Sequence, residues 1–143
     1  MRIIGGSHKR RLIRPPARLP VRPTTDLAKE ALFNILNNRI DFEGLRVLDL
    51  FAGTGNISLE FASRGAAEVL SIDSNPACIT FISQTAAELK LQCIHAIRTD
   101  AWKFLQRVPP SFDLIFADPP FDMKGIEELA SIVLKRGLLA SEA

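Results

Sequence analysis

VLDLFAGTGNISLE, residues 47–60, sets an apolar run against a turn with two glycines and then a run of helical spacing. The apolar run, extended back to Leu45 as LRVLDL (45–50), predicts a buried strand, and NISLEFASRG predicts a helix that stops at Gly65. The rest of the chain repeats that alternation. EVLSI (68–72), CIHAI (93–97) and DLIFA (113–117) read as strands. Between and after them come helices from Pro76 to about Lys90, from near Asp100, and over KGIEELASIVLKRG, ending before Gly137. Upstream, Thr24, Thr25 and Asp26 are N-cap residue types, and Leu27, Ala28, Ala31, Leu32, Ile35 and Leu36 follow at helical spacing. Strands separated by helices predict an α/β domain built on a doubly wound parallel sheet, with right-handed crossovers and helices on both faces. Ligands of such sheets lie at the carboxyl ends of the strands, where the strand order reverses.

Each of those ends carries an acid: Asp49 closes the first strand, Asp73 the second, Asp100 follows the third and Asp118 the fourth. Any one alone reads first as a helix cap or a solvated loop acid. All four along one edge mark a candidate site. Gly53 and Gly55 let the backbone turn tightly and approach a ligand just before a helix opens at its positive end. A dinucleotide fits poorly, because GTGNIS lacks the third Gly or Ala of that fingerprint and Asp49 would set a like charge beside the pyrophosphate. The Gly-Lys-Ser/Thr ending of a phosphate-binding loop is absent as well. A cofactor without phosphates suits the loop better, and S-adenosylmethionine offers a sulfonium, an ammonium and two ribose hydroxyls to the acids.

VLDLFAGTGNISLE followed by SIDSNP, TDAW and FADPPF resembles the ordered motif set of class I S-adenosylmethionine-dependent methyltransferases acting on amino groups, a Rossmann-like fold. The resemblance implies that Asp49, Phe51, Ala52, Gly53 and Gly55 wrap the methionine end of the cofactor. It further implies that Asp73, with Ser74 beside it, takes the ribose hydroxyls and that Asp100 and Ala101 contact adenine. In FADPPF, Asp118 and the Pro119 carbonyl are placed to accept the two N–H bonds of an exocyclic amino group, aiming its lone pair at the methyl for in-line transfer. Pro119 and Pro120 stiffen those acceptors, and Phe121 is expected to stack on a flipped base. The chemistry calls for no metal. Adenine, cytosine, guanine and glutamine amides are all substrates of relatives with related tetrapeptides, so DPPF alone does not choose among them.

Charge is divided unevenly. Residues 1–25 hold Arg2, Lys9, Arg10, Arg11, Arg14, Arg18 and Arg22 without one acid, so this arm carries +7, and subtracting it from the net +2 leaves the remainder at −5. A basic tail of this kind reads either as a polyanion-binding arm or as a solvated terminus. Gly5, Gly6, Pro15, Pro16, Pro20 and Pro23 fit an irregular or short-stranded arm. MRIIGGSHKRRL and RPTTDLAKEALFNIL resemble the start of the RsmD family, which methylates a guanine N2 of bacterial small-subunit (16S) ribosomal RNA. That resemblance implies an RNA-binding arm over 1–25, with Arg2, Lys9, Arg10, Arg11 and Arg22 on phosphates, ahead of a methyltransferase domain over 26–143. The implied partner is ribosomal RNA or the assembling small subunit. The rivals are a DNA adenine or cytosine amino-methyltransferase and a fragment that binds RNA or cofactor without turnover.

Length and composition set the outer bounds. With 143 residues, 47% of them hydrophobic, one domain with a sizeable core is expected. No apolar run approaches a membrane span and no secretory signal is visible, which predicts a cytoplasmic protein without a membrane partner. Two cysteines, Cys78 and Cys93, suggest neither a disulfide framework nor a zinc site, and buried reduced thiols are expected. A class I methyltransferase continues past GLLASEA with a fifth strand and an antiparallel pair, so the sequence reads as truncated there, leaving its fourth strand an open edge.

Overall fold

The computed structural model describes residues 1–19, 24–109, 111–119 and 125–137. Arg22, Pro120 and Phe121 lie outside the described residues. The body comprises α1 (Asp26–Asn37), β1 (Arg46–Leu50), α2 (Asn56–Ser63), β2 (Glu68–Asp73), α3 (Pro76–Glu88), β3 (Ile94–Arg98), α4 (Ala101–Arg107), β4 (Leu114–Ala117) and α5 (Ile126–Lys135). Local chemistry explains where the helices start. The Thr25 hydroxyl accepts the Ala28 N–H at the head of α1, Asn75 Oδ1 accepts from Ala77 and Cys78 ahead of α3 with Pro76 at its first position, and Asp100 caps α4 through Lys103.

The four strands are parallel and ordered β3-β2-β1-β4. From β1 the chain steps outward through β2 to β3, then returns to the other side of β1. That reversal divides the core. Val47, Val69 and residues of α1, α2 and α3 fill one face, while Leu48, Leu50 and Ile72 meet α4 and Leu129 of α5 on the other. In β1 the alternation puts Asp49 on the same face as Val47, toward α2. Cys78 is fully buried and Cys93 half-buried, both as free thiols. No helix among the described residues is long and apolar enough to cross a membrane.

The arm is docked on the body. Residues 1–13 fold back on themselves, with Ile3 N–H on the Arg11 carbonyl at 3.0 Å, Arg10 N–H on the Ile3 carbonyl at 2.8 Å, and Met1 and Ile13 bonded to each other. Ile3 and Ile13 enter the core. Every residue of α2 is buried, because the sheet covers one side of it and the arm the other. The side facing the arm is polar. Asn56, Glu60 and Ser63, four and three residues apart, form a stripe down the helix. The Glu60 carboxylate accepts the Ile4 and Gly5 N–H groups, each at 2.9 Å, together with Lys29 Nζ at 3.1 Å and Arg64 Nε at 2.7 Å. Ser63 Oγ donates to the Gly5 carbonyl and accepts the His8 N–H. Contact here is so close that a Cβ on Gly6 would lie 1.9 Å from the Ser63 carbonyl oxygen, at a φ of +81°.

Burying opposite charges is stable only while both are present. Glu60→Ala would strip the Lys29 ammonium of its counter-ion inside the protein and orphan two backbone N–H groups. We expect it to lower the unfolding free energy in urea by roughly 3–5 kcal/mol, whereas a loss below about 1 kcal/mol would show that this carboxylate does not hold the arm.

Candidate active site

In a sheet of this topology the ligand crevice belongs at the carboxyl ends of β1 and β4, where the strand order reverses. Register places the acids around it. Asp49 pairs with Ser71 of β2 on one side and Phe116 of β4 on the other, and Leu50 pairs with Ile72 and Ala117, so Asp118 emerges one residue beyond the last pair. Asp73 ends β2, opposite Arg98 of β3, and Asp100 lies two residues past that strand.

Between Asp49 and α2 the backbone makes its tight passage. Phe51, Gly53 and Gly55 all have positive φ (57°, 58° and 80°). A Cβ at Gly55 would stand 2.8 Å from Ile82 Cγ1, so this turn packs flush against α3. Asp73 holds the loop from the β2 side: its Oδ2 accepts the Gly53 N–H and its Oδ1 the Asn75 N–H, both at 2.9 Å. Each oxygen keeps a lone pair for a further donor. Phe51, half-buried, sets its ring edge-on to Trp102 with centroids 5.9 Å apart.

Asp49 is 1% exposed, and its Oδ2 accepts the Ser58 hydroxyl at 2.6 Å, which in turn contacts the Ser71 hydroxyl at 2.6 Å. Burial raises its pKa to about 7, Ser58 opposes the rise, and the negative charges of Asp73 and Asp118 add to it. The three carboxylates thus share one electrostatic neighbourhood. Asp118 itself is exposed and Pro119 half-buried. Asp100 is exposed and caps α4, Ala101 is buried beneath it, and the exposed Ser74 accepts Arg98 Nε through its carbonyl.

The sequence reading missed the other wall of the glycine loop. Asn56, the first residue of α2, donates from Nδ2 to the Thr24 carbonyl at 2.8 Å and accepts Lys29 Nζ on Oδ1 at 2.7 Å. A charged residue at a core-facing position of each of two apolar helices, Lys29 and Glu60, was the available signal.

The expected RNA contacts do not converge on one spot. Arg2 sits at the loop end of α2, where its carbonyl accepts Lys29 Nζ and its guanidinium pairs with Asp26 at 4.0 Å. Lys9, Arg10 and Arg11 are exposed at the hairpin tip, beside Ser63 and the end of α3, where His8 Nε2 meets the Leu89 carbonyl at 2.7 Å. Among the described residues these three form no ion pair. The length of α2, about 12 Å at 1.5 Å per residue, separates them from the glycine loop.

All of the chain, residues 1–143, matches the protein family described as Conserved hypothetical protein 95. Ribosomal RNA small subunit methyltransferase D of Escherichia coli K12 is 35% identical over 143 residues, covering 100% of this chain and 71% of the relative. The solved structure of Escherichia coli yhhF, described as a proposed methyltransferase, superposes with a TM-score of 0.86 at 32% identity, covering 98% of this chain and 75% of that one. The Podospora anserina methyltransferase PaMTH1, solved with S-adenosylhomocysteine, matches with a TM-score of 0.70 over 85% of this chain and 51% of that one. At 20% identity that likeness is one of fold. These likenesses establish the fold as the class I methyltransferase α/β architecture.

The Asp49 carboxyl makes the protein's stability depend on pH. Unfolded, it titrates near the ordinary value of about 3.9; folded, near 7. Below about pH 4 both states hold the proton, and as pH rises to 7 only the unfolded state has released it, so folding weakens over that window by up to about 4 kcal/mol. Asp49→Asn should flatten the profile of urea midpoint against pH between 4 and 8. Superimposable profiles would remove Asp49 as their source.

Proposed function

This chain belongs to the Conserved hypothetical protein 95 family, the RsmD family that its motifs resemble, and from that membership we propose that it methylates small-subunit ribosomal RNA with S-adenosylmethionine, at the exocyclic N2 amino group of a guanine. The observation that carries the reading is the meeting of Asp49, Asp73 and Asp118 with a flush glycine turn at one strand-order reversal.

The residues suit the cofactor. Its sulfonium and ammonium are cations, and Asp49, half-titrated near neutrality in their absence, gains a reason to ionise beside them. Asp73, already fixed by two backbone N–H groups, has lone pairs free for the two ribose hydroxyls. The Gly53 backbone, with Phe51 and Ala52 beside it, would meet the methionine end, Gly55 would shape that turn by packing flush against Ile82, and Ser74 would stand beside Asp73 at the ribose. Asp100 and Ala101 border the adenine position. When bound, S-adenosylmethionine supplies an electrophilic methyl group.

An aromatic amine is a weak nucleophile, because its lone pair is delocalised into the base. Asp118, exposed just past the end of β4, and the Pro119 carbonyl accept its two N–H bonds and draw the nitrogen toward a tetrahedral shape. The proton becomes acidic only after nitrogen has gained the methyl, so Asp118 need not be a strong base. Pro120 and Phe121 complete this reading from the sequence. RNA lies along the arm, where Arg2, Lys9, Arg10, Arg11 and Arg22 meet phosphates.

The test of substrate is a nucleoside digest. Protein, labelled S-adenosylmethionine and either undermethylated small-subunit RNA, assembling subunits or duplex DNA are incubated, and the product is hydrolysed. Label is expected on N2-methylguanosine, and label on N6-methyladenine would refute the assignment. Asp118→Ala should lower kcat at least about a hundredfold with cofactor affinity nearly intact, since one preorganised hydrogen-bond partner is worth roughly 2.7–4 kcal/mol to a transition state. An unaltered kcat in a folded, cofactor-binding variant would take Asp118 out of catalysis.

A further inference from the structure

Lys29 and Asn56 lie outside the crevice, and neither has a role in the chemistry above. Their geometry nevertheless connects the two binding surfaces. Lys29 is 0% exposed, and all three of its ammonium protons are spoken for: the Arg2 carbonyl at 2.6 Å, Asn56 Oδ1 at 2.7 Å and Glu60 Oε1 at 3.1 Å. Asn56 is 3% exposed and directly follows Gly55. Its amide is oriented without ambiguity, because Oδ1 faces an ammonium and Nδ2 faces the Thr24 carbonyl. One buried cation therefore ties a backbone oxygen of the arm to the residue that ends the glycine loop, and the amide of that residue ties the loop to the segment leading into α1.

We propose that Lys29 and Asn56 are positioning residues for the cofactor loop, through which RNA on the arm and cofactor in the loop strengthen each other's binding. The proposal rests on the reading of arm and loop given above as RNA and cofactor sites. Its physical basis is that the cluster has no spare donor. Moving the backbone of Arg2 or Thr24 breaks a buried bond to Lys29 or Asn56 unless the first turn of α2 follows, and an RNA that fixes the arm fixes that turn as well. Linkage makes the effect reciprocal.

The test is a calorimetric cycle. The dissociation constant of S-adenosylhomocysteine is measured with and without a saturating fragment of small-subunit ribosomal RNA, in the unmodified protein and in Asn56→Asp, Lys29→Met and Lys29→Arg. Asn56→Asp keeps an acceptor for Lys29 and sets a carboxylate oxygen against the Thr24 carbonyl, so it cuts only the second tie and spares the Lys29–Glu60 pair should Lys29→Met fail to fold. In the unmodified protein RNA should tighten cofactor binding about fivefold or more, the low end of ordinary coupling between sites. Lys29→Met, which cuts the tie from the Arg2 carbonyl to the loop, should bring that ratio to about one, Asn56→Asp, which cuts the Thr24 tie alone, should lower it part of the way toward one, and Lys29→Arg should preserve most of it. A purely structural role would lower melting temperature in the variants and leave the ratio unchanged, and that result overturns the proposal. A ratio of one in the unmodified protein overturns it too, while leaving the cofactor and RNA sites standing. Failure of the unmodified protein to bind cofactor or RNA at all would remove the functional reading, and the coupling with it.

Discussion

A carboxylate buried in the middle of α2 has to be neutralised from somewhere, and the way Glu60 meets that demand organises half of the molecule. Its two oxygens take an ammonium from α1, a guanidinium from its own helix and two backbone N–H groups from the arm. Two segments far from it in sequence, the arm and α1, are thereby fixed to one helix. The Arg64 guanidinium, drawn in by Glu60, also lies over the Phe33 and Phe42 rings at 4.8 and 5.3 Å, so the ionic cluster and the aromatic core under α1 share a wall. Because Gly55 is the residue that caps the start of α2, whatever fixes the helix also fixes the glycine loop.

The crevice follows from topology. A chain that lays down β1, β2 and β3 in one direction and returns with β4 on the opposite flank puts its strand-order reversal between β1 and β4, and parallel register sends all strand-end residues to that edge. Asp49 is then buried by its neighbours, since β2 and β4 flank it with Ser71 and Phe116 in register and Ser58 covers it from α2. The same packing that forces a shared hydroxyl between Ser58 and Ser71 raises the Asp49 pKa into the neutral range, where a cationic ligand has most influence on it.

Elements whose signals are local were legible from the residues alone. The strands fall within one residue of the runs that announced them, Thr25 caps α1 as its residue type allowed, and Asp100 caps the helix that begins beside it. The order of acids along the edge was equally readable, because alternation of strand and helix dictates which ends share an edge. The arm was not. Seven cations without an acid describe its side chains, yet its docking depends on backbone N–H groups at Ile4 and Gly5 reaching a carboxylate more than fifty residues away. Composition cannot report a bond made by the main chain. Nor did NISLEFAS reveal its polar stripe as buried, since Asn56, Glu60 and Ser63 also suit a solvent-facing side. The Asp73 side chain shows the limit for the site: its place at the strand end was evident, but its two backbone bonds to the loops around it arise only in the fold.

If arm, α1 and α2 form one unit through Glu60, the arm's amides must be as slow to exchange as those of the helix they grip. Site-resolved hydrogen exchange measures this directly. The Ile4 and Gly5 amides should open with free energies comparable to those of Leu59 and Val47, in the sheet-packed core, because freeing them requires breaking the buried cluster. Exchange of Ile4 and Gly5 at the rate of a frayed terminus, while α2 and β1 stay protected, would contradict the account.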